Sequence, residues 1–473
     1  MKIKCGFTYL LLLSFIISCS SQKSSPENTA GFAKPNIIFV LVDDMGWTDL
    51  GCYGSNFYET PNIDKLASEG TIFTDAYSAA TVCSPSRAAI LTGKYPARLH
   101  VTDWIKGHQK PFAKLLPPDW TQYLPLEVTT IAEFLKNYGY ATASIGKWHL
   151  GHDPKFYPEN QGFDVNLGGF YMGQPPSYFS PYKMPTLTDG PDGEYLTDRQ
   201  TDDAINFIKQ NKEKPFFIYL PYYTVHQPLQ SKEADTRYFT NKVNEDSAQR
   251  NPVYAGMIKN LDDNMGRITS VLNSLNIAQN TILIFTSDNG GLIAQNPSRV
   301  VTSNIPLRAG KGSAYEGGVR VPAIVTWPGK IKSGTVNCSP IMGIDFFPTI
   351  ANIIDPKAIL PANIDGVNLL PSLLNHKEVK RDALFWHYPH YHPGGSTTYS
   401  AVRRNNWKLI YFYETGKKEL YNLSTDLSEK NDLSLSNPQL TERLYQEMVQ
   451  WKKSVNAQDP VPNPKYNANQ IND

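Results

Sequence analysis

The chain has 473 residues, of which 41% are hydrophobic and 19% charged, and a formal net charge of +1 at pH 7. This length predicts one large domain together with a smaller one. This balance excludes the large excess of basic residues that proteins binding nucleic acid or an anionic membrane face carry. An anionic ligand must therefore be bound by a few local cations.

The N-terminal segment has the pattern of a bacterial lipoprotein signal peptide. Lysines precede an apolar run from Tyr9 to Ile17, which is about half the roughly 20 residues that span a bilayer. Ser18 and Cys19 follow the run directly. A cysteine after a small residue at this place resembles a lipobox, the cleavage and lipidation signal of bacterial lipoproteins. We predict a signal peptide (1–18), lipidation of Cys19 and a flexible tether (19–34); ordinary signal cleavage nearby is the alternative. The predicted location is the periplasm or cell surface of a Gram-negative bacterium, with membrane contact only through the lipid.

After the predicted cleavage site the chain keeps three cysteines besides Cys19, which are too few for a disulfide scaffold in a large exported domain. A bridge between Cys52 and Cys338 is compatible with the sequence. Cys83 then needs a separate explanation.

Apolar runs alternate with helical patterns over residues 35–375, which we assign to one catalytic domain. Residues 35–42 and 281–286 are continuous apolar runs rich in β-branched residues, as in strands buried on both faces. Further strands are predicted at 215–220 and 321–327, and helices at 60–69, 130–138, 198–210 and 253–275. The alternation predicts an α/β sandwich with a large, mostly parallel central sheet flanked by helices.

A change of composition after residue 374 predicts a smaller C-terminal subdomain over residues 380–473. Short strand patterns occur at 383–392, 399–403, 407–412 and 420–423, followed by a helical pattern at 438–455. This order predicts an α+β unit with an antiparallel sheet. The turn-rich tail from Asp459 is expected to be extended.

Acidic residues follow the two most apolar strands. The first predicted strand stops at Asp43 and Asp44, and the run 281–286 stops before Asp288 and Asn289. Ligands collect beyond the carboxyl ends of strands in such sheets. These four side chains supply only oxygen ligands, which suit Ca²⁺ or Mg²⁺ rather than zinc. For either pair alone, the alternative is a cap on the next turn.

Cys83 is predicted to lie at the N-terminus of a helix. Pro85 stands near the first helical position and Gly93 just past the end. Arg87 is four residues from Cys83 and shares its helix face. A thiol beside a cation at the positive end of a helix is suited to chemistry, whereas an isolated cysteine at a helix start is more often inert.

The segment from Cys83 to Gly93 resembles the signature of the type I sulfatases, in which the cysteine is oxidised to formylglycine. The resemblance covers the chain from Pro35 onward. It includes Asp43-Asp44 and Ser287-Asp288-Asn289-Gly290 together with the segments 146–151, 225–228, 310–313 and 315–318. It implies an alkaline-phosphatase-like fold, hydrolysis of sulfate esters, Ca²⁺ in preference to Mg²⁺, and a formylglycine-generating maturase as a partner.

The resemblance also implies roles for the site residues. The hydrated aldehyde at position 83 attacks sulfur, and its second hydroxyl group then allows sulfate to leave. Arg87 holds the diol, while Lys147 and Lys311 stabilise the charge that develops on oxygen. His226 is assigned as the acid and His149 as the base, although these two roles are exchangeable. The implied metal ligands are Asp43, Asp44, Cys83, Asp288 and Asn289.

An aromatic and histidine-rich segment in the C-terminal region is the candidate for recognising a sugar. We expect a sulfated glycan as substrate, with galactose or N-acetylgalactosamine as the sulfated sugar. The candidate contact residues are Trp104, His108, His387, His390, His392 and Arg403. The rival functions are a phosphonate monoester or phosphodiester hydrolase and a glycan-binding lipoprotein without activity.

Overall fold

The computed structural model describes residues 34–244, 246–294 and 300–470. The predicted signal peptide and Cys19, the predicted site of lipidation, lie outside these residues, as does nearly all of the predicted tether. No helix in the described part combines the length and the apolar character that crossing a bilayer requires.

The strands of the described residues form one large sheet and three smaller ones. In chain order they are β1 (Asn36–Val42), β2 (Thr71–Phe73), β3 (Ala76–Tyr77), β4 (Leu115–Leu116), β5 (Ala141–Ile145), β6 (Val165–Leu167), β7 (Phe216–Pro221), β8 (Thr281–Ser287), β9 (Ala323–Thr326), β10 (Thr335–Asn337), β11 (Ile341–Met342), β12 (Leu384–Tyr388), β13 (Tyr399–Arg404), β14 (Trp407–Phe412), β15 (Lys418–Asn422) and β16 (Val461–Pro462).

The large sheet has eight strands in the order β10-β2-β9-β8-β1-β7-β5-β6. Strand β9 runs antiparallel to both of its neighbours, and all the other pairs are parallel. The expected α/β sandwich with a mostly parallel sheet is therefore confirmed. Strand β1 lies at its centre, and none of its residues is more than 3% exposed, as expected of a strand covered on both faces.

Two groups of helices cover the large sheet. Helices α1, α5 and α6 each contact α7, and a second group is formed by α2, α4 and α9. The helices are α1 (Pro61–Ser68), α2 (Cys83–Thr92), α3 (Pro96–Leu99), α4 (Ile131–Lys136), α5 (Leu196–Asn211), α6 (Glu233–Thr240), α7 (Pro252–Ser274), α8 (Glu316–Val319), α9 (Phe346–Ile354), α10 (Leu370–Asn375) and α11 (Pro438–Ser454).

The C-terminal region contains the expected antiparallel sheet, in the order β12-β13-β14-β15. Helix α11 packs on β13, β14 and β15. The strand predicted over 383–392 is shorter than expected and ends at Tyr388. Pro389 follows and has no N–H group to continue the ladder, so residues 389–392 leave the sheet. The tail adds a short strand, β16, which pairs with β4.

The bridge between Cys52 and Cys338 that the sequence allows is not formed. Cys52 is a free thiol. Its backbone N–H donates to Asp64, so this cysteine lies in the packing around the N-terminus of α1 rather than in a cross-link.

Candidate active site

The ends of β1 and β8 bring the acidic residues together. The two strands are parallel, with Val42 opposite Ser287, so the residues that follow them meet at one edge of the sheet. Asp44 takes a left-handed conformation with φ of 62°. Its N–H donates to Asp288 Oδ1 at 3.1 Å. The expected convergence of these carboxylates is present.

Helix α2 presents Cys83 and Arg87 to the same edge. Cys83 is the first residue of the helix, and Gly93 caps its end with φ of 67°, as the sequence predicts. Arg87 is fully buried and donates to Asp288 Oδ2 from Nε at 3.0 Å and Nη2 at 2.8 Å. Its Nη1 donates to the Lys147 carbonyl at 2.9 Å. Arg87 therefore joins α2 to two of the loops that form the site.

Lys147 follows β5 through a turn that requires glycine. Gly146 has φ of +125°, and a Cβ atom there would lie 2.1 Å from the Pro221 carbonyl oxygen. A side chain at position 146 would thus clash with the backbone of β7. The turn directs the Lys147 ammonium inward, where it lies 2.6 Å from Asp43 Oδ2 and is fully buried.

Lys311 supplies a second ammonium group on the opposite side. Its Nζ lies 2.7 Å from Asp44 Oδ1 and 2.8 Å from Oδ2. Its side chain is 10% exposed. Lys311 is thus the cation of this cluster that contacts the open space above the site.

Two histidines flank Cys83 and Asp44. His149 Nδ1 lies 3.3 Å from Cys83 Sγ, and its Nε2 contacts the Ile105 carbonyl. His226 Nε2 lies 3.5 Å from Asp44 Oδ2, and its Nδ1 lies 2.9 Å from the Gln227 carbonyl. The six predicted catalytic residues therefore share one site, with His149 beside position 83 and His226 beside the acidic cluster.

Burial and neighbouring cations keep both imidazoles uncharged at neutral pH. Burial, supported by the Lys147 charge, holds the pKa of His149 well below its usual range. Burial and Lys311 lower the pKa of His226 to about 3. Both rings therefore rest as hydrogen-bonding neutral groups.

The acidic cluster fits a hard metal cation. Ligand atoms of Asp43, Asp44 and His226 lie within 4.8 Å of one another. Asp43 Oδ1 and Asn289 Oδ1 are buried, and among the described residues neither has a hydrogen-bond partner. Burial raises the pKa of Asp43 although Lys147 opposes it, and a cation at the free oxygen would reverse that shift. Carboxylate and amide oxygens are the ligands that Ca²⁺ and Mg²⁺ prefer.

A cavity of about 620 Å³ opens above these residues. Cys83, His149, His226 and Lys311 line it. Its walls are mainly aromatic and apolar, and they include Trp104, Ile105, Tyr171, Met172, Leu292 and His392. The reactive groups therefore face a space large enough for a small organic ligand.

The predicted sugar-binding residues divide into three groups. Trp104 and His392 line the main cavity. His108 and His390 line a neighbouring cavity of about 700 Å³. The remaining two, His387 and Arg403, line neither.

The placement of His387 and Arg403 corrects the sequence prediction. His387 lies 2.7 Å from Ser400 Oγ and 2.8 Å from the Gln458 carbonyl. Arg403 pairs with Asp75. Both side chains are buried in the C-terminal packing because they point from β12 and β13 into neighbouring elements rather than toward the site.

Several cavity residues escaped sequence analysis. Tyr171, Met172 and Gln174 lie in an irregular loop after β6, and Lys106 lies in the loop after α3. These positions show no periodicity and belong to no motif. His152 directly follows the segment 146–151 in the sequence. Among these residues, it is the one that proximity to a motif could have marked as a cavity residue.

Comparison with known families identifies the chain. A family model described as Sulfatase matches residues 35–355. The chain belongs to the sulfatase family. A second family model, described as N-sulphoglucosamine sulphohydrolase, C-terminal, matches residues 310–454.

Individual relatives agree with this membership. A sulfatase of Formosa agariphila is 32% identical over 98% of this chain and 98% of its own length. The N-acetylgalactosamine-6-sulfatase of Sus scrofa is 35% identical over 85% of this chain and 76% of its own. The crystal structure of Ps i-CgsB matches with a TM-score of 0.75 and 32% identity, covering 92% of this chain and 95% of that one. The protein is a sulfuric ester hydrolase with the alkaline-phosphatase-like fold.

Proposed function

We propose that this sulfatase removes sulfate from a galactose-type sugar of a sulfated glycan, with Cys83 as formylglycine and one Ca²⁺ at the acidic cluster. The observation that carries the proposal is the position of Cys83. It begins a buried helix, lies 3.3 Å from His149 Nδ1 and lines the cavity together with Lys311. The positive end of the helix and the adjacent cations stabilise negative charge that develops at this position.

Asp43, Asp44, Asp288 and Asn289 would hold the cation. Hydration of an aldehyde at position 83 would supply the nucleophile, and a divalent cation would increase its acidity and polarise the sulfate group. Arg87 fixes Asp288 through two hydrogen bonds, so the carboxylate cannot turn away from the cluster.

The charges of the site complement a sulfate monoester. With all of the aspartates ionised, the negative charges of Asp43, Asp44 and Asp288 equal the positive charges of Arg87, Lys147 and Lys311. A bound divalent cation would then leave a net charge of +2 facing a monoanionic ester. In a buried site, such preorganised cations stabilise the transition state by several kcal/mol.

The two histidines are placed for different proton transfers. His149 contacts position 83, so it is the residue able to take a proton from the nucleophile or from the intermediate that releases sulfate. His226 faces the cavity from the side of Asp44. It is the candidate for donating a proton to the leaving alcohol once a bound anionic substrate has raised the pKa of its ring. This geometry supports His149 as the base and His226 as the acid.

The named relatives support a carbohydrate substrate. One is an N-acetylgalactosamine-6-sulfatase, and Ps i-CgsB has been solved in complex with k-i-k-neocarrahexaose. The walls of the main cavity carry Trp104 and Tyr171, and aromatic rings pack well on the apolar faces of sugars. N-acetylgalactosamine is the sugar in the name of the first relative, and galactose has the same ring configuration.

We further propose that the enzyme is exported and anchored through a lipidated Cys19, and that it meets a formylglycine-generating maturase before it folds. Labelling with a fatty acid tests the anchor, since Cys19→Ala should abolish incorporation. Continued incorporation in that variant would refute the anchor without affecting the enzymatic proposal.

Two assays test the enzymatic proposal. Paired aryl sulfate and aryl phosphate substrates should show a clear preference for the sulfate, and a panel of galactose and N-acetylgalactosamine 4- and 6-sulfates should release sulfate from at least one member. A preference for the phosphate would favour the phosphonate monoester or phosphodiester hydrolase. Binding of glycans without sulfate release, with Cys83 converted, would favour the inactive binding protein.

A further inference from the structure

A second cavity of about 700 Å³ adjoins the main one, and the two share Lys106 and Gly107 in their walls. Its other walls come from the segment 108–122 and from the tail around residue 464. None of the proposed catalytic residues lines it. A ligand in the main cavity that is larger than one sugar can therefore extend past the shared wall into this space.

The lysines of the second cavity have no acidic partners. Lys106, Lys110 and Lys465 line it, and none of them forms an ion pair within the described ranges, although most of the lysines and arginines near the site do. Asp119 is the one exposed acid in the same wall. The cavity thus carries an excess of uncompensated positive charge, as a site for an anionic ligand would.

An aromatic ring and a buried acid complete the wall. Trp120 is half-buried and packs its ring against His390 at a centroid distance of 5.5 Å and an angle of 72°. Asp103 is 1% exposed and accepts from Tyr388 at 2.8 Å through Oδ1. Its Oδ2 lies 3.8 Å from His390 Nδ1 and has no hydrogen-bond partner among the described residues. A buried oxygen without a partner costs free energy unless a ligand group satisfies it.

We propose that the second cavity binds a further sugar of the substrate that carries a carboxylate or a sulfate, so that the natural substrate is an anionic oligosaccharide rather than a monosaccharide. The anionic group would lie against Lys110 and Lys465, the sugar ring against Trp120, and a hydroxyl group at Asp103. This inference rests on the proposed function, since it deepens the substrate class of the same site.

Burial of Asp103 agrees with this arrangement. Burial raises the pKa of its carboxyl group to about 8, although the Tyr388 hydrogen bond opposes the shift. Near neutral pH the group is therefore largely protonated and does not repel an anionic sugar. A protonated carboxyl group can also donate a hydrogen bond to a hydroxyl oxygen.

The test compares three substrates. The first is the sulfated monosaccharide that is turned over fastest in the panel of galactose and N-acetylgalactosamine sulfates. The second is a disaccharide that joins this sugar to glucuronic acid, and the third is the uncharged carboxyl methyl ester of that disaccharide. The wild-type enzyme should prefer the charged disaccharide to its ester in kcat/KM. Lys110→Gln/Lys465→Gln should lower that preference about tenfold, as the loss of two partly exposed charge contacts implies.

One control variant and two further measurements sharpen the result. Lys332→Gln replaces an exposed lysine that lines neither cavity and should leave the preference unchanged. Trp120→Ala should lower kcat/KM for both disaccharides together relative to the monosaccharide. High salt should erase the preference for the charged disaccharide, since screening shortens the range of exposed charges.

The outcomes separate this inference from the function on which it rests. The inference would be overturned if kcat/KM were equal for the charged and neutral disaccharides in both the wild type and the lysine variant. Sulfate release from the monosaccharide would still uphold the proposed function in that case. Absence of sulfate release from every probe would contradict the proposed function itself, and the inference with it.

Discussion

Lys311 contacts both the acidic cluster and the open cavity. Its ammonium group lies between Asp44 and the space where a substrate would bind. The other two cations of the cluster, Arg87 and Lys147, are fully buried behind the aspartates. Among these cations, Lys311 is therefore the one best placed to touch the sulfuryl oxygens.

Lys311→Met should lower kcat/KM for an aryl sulfate by about 10²- to 10³-fold, because a preorganised cation at the developing charge is lost. Circular dichroism should show an unchanged fold. Lys332→Met, at an exposed position outside both cavities, is the matched control and should retain full activity. A less than twofold effect of Lys311→Met would remove Lys311 from the proposed chemistry.

Buried histidines predict an acid-sensitive C-terminal sheet. Burial lowers the pKa of His387 to about 4, below the value of about 6.5 for an unfolded chain. Below pH 6.5 the unfolded state therefore binds more protons than the folded state. The stabilising contribution of neutral His387 is complete above pH 6.5 and is lost as the pH falls toward 4.

His387→Gln should flatten this dependence. Urea unfolding at a series of pH values measures the free energy of unfolding of both proteins. Between pH 6.5 and 4, the value for the wild type should fall, relative to that of the variant, by up to about 1.4 kcal/mol per pH unit. His376→Gln, at an exposed histidine, should leave the slope of the wild type. Parallel curves for wild type and His387→Gln would show that His387 is not held neutral by folding.

At the scale of the elements, long apolar patterns were predictable and short ones were not. The predicted strand 281–286 and helix 253–275 agree with β8 and α7 to within one residue at each end. Strands β3, β11 and β16 contain two residues each. Such short strands carry no periodic signal, because tertiary contacts rather than local sequence decide where they pair.

A buried ion-pair network joins the C-terminal sheet to helix α8. Lys408 on β14 lies 2.8 Å from Glu316 on α8 and 3.0 Å from Glu429, with all of these side chains fully buried. Glu316 also pairs with Arg320 at 2.7 Å. The network ties the C-terminal sheet to the segment that follows Lys311.

Lys408→Met should destabilise the protein by about 3–5 kcal/mol, because it removes the buried cation that Glu316 and Glu429 share. Lys65→Met breaks an exposed pair with Glu69 on α1 and should cost less than about 1 kcal/mol. Chemical denaturation measures both variants. Similar small losses would show that the buried network contributes little to the free energy of unfolding.

At the scale of the whole molecule, the site collects residues that are far apart in sequence. Asp43 and Lys311 are separated by most of the catalytic region, yet they meet at one sheet edge because parallel strands share that edge. The motifs therefore predicted which residues meet at the candidate site. The cavity walls could not be predicted in the same way, because irregular loops supply Lys106, Tyr171 and Met172.

Metal binding should stabilise the whole fold, because a cation bound only to the folded state shifts the unfolding equilibrium. Removal of metal with a chelator should abolish sulfate release and lower Tm. Added Ca²⁺ should restore both, and Mg²⁺ should be less effective. Full activity after exhaustive chelation would contradict the proposed metal site.

The central claim is that position 83 acts as a hydrated aldehyde. It is tested most directly by measuring, in the same preparations, the mass of the peptide from Thr81 to Lys94 and the rate of sulfate release. If position 83 is converted to the aldehyde, the peptide mass should be lower by about 18 units than that of the cysteine form. The rate of sulfate release should rise in proportion to the converted fraction. Cys83→Ala should be inactive, and Cys52→Ala, at the other free thiol of the described residues, should remain active. Full sulfatase activity from a protein whose Cys83 is entirely unmodified would contradict the role of an aldehyde at position 83.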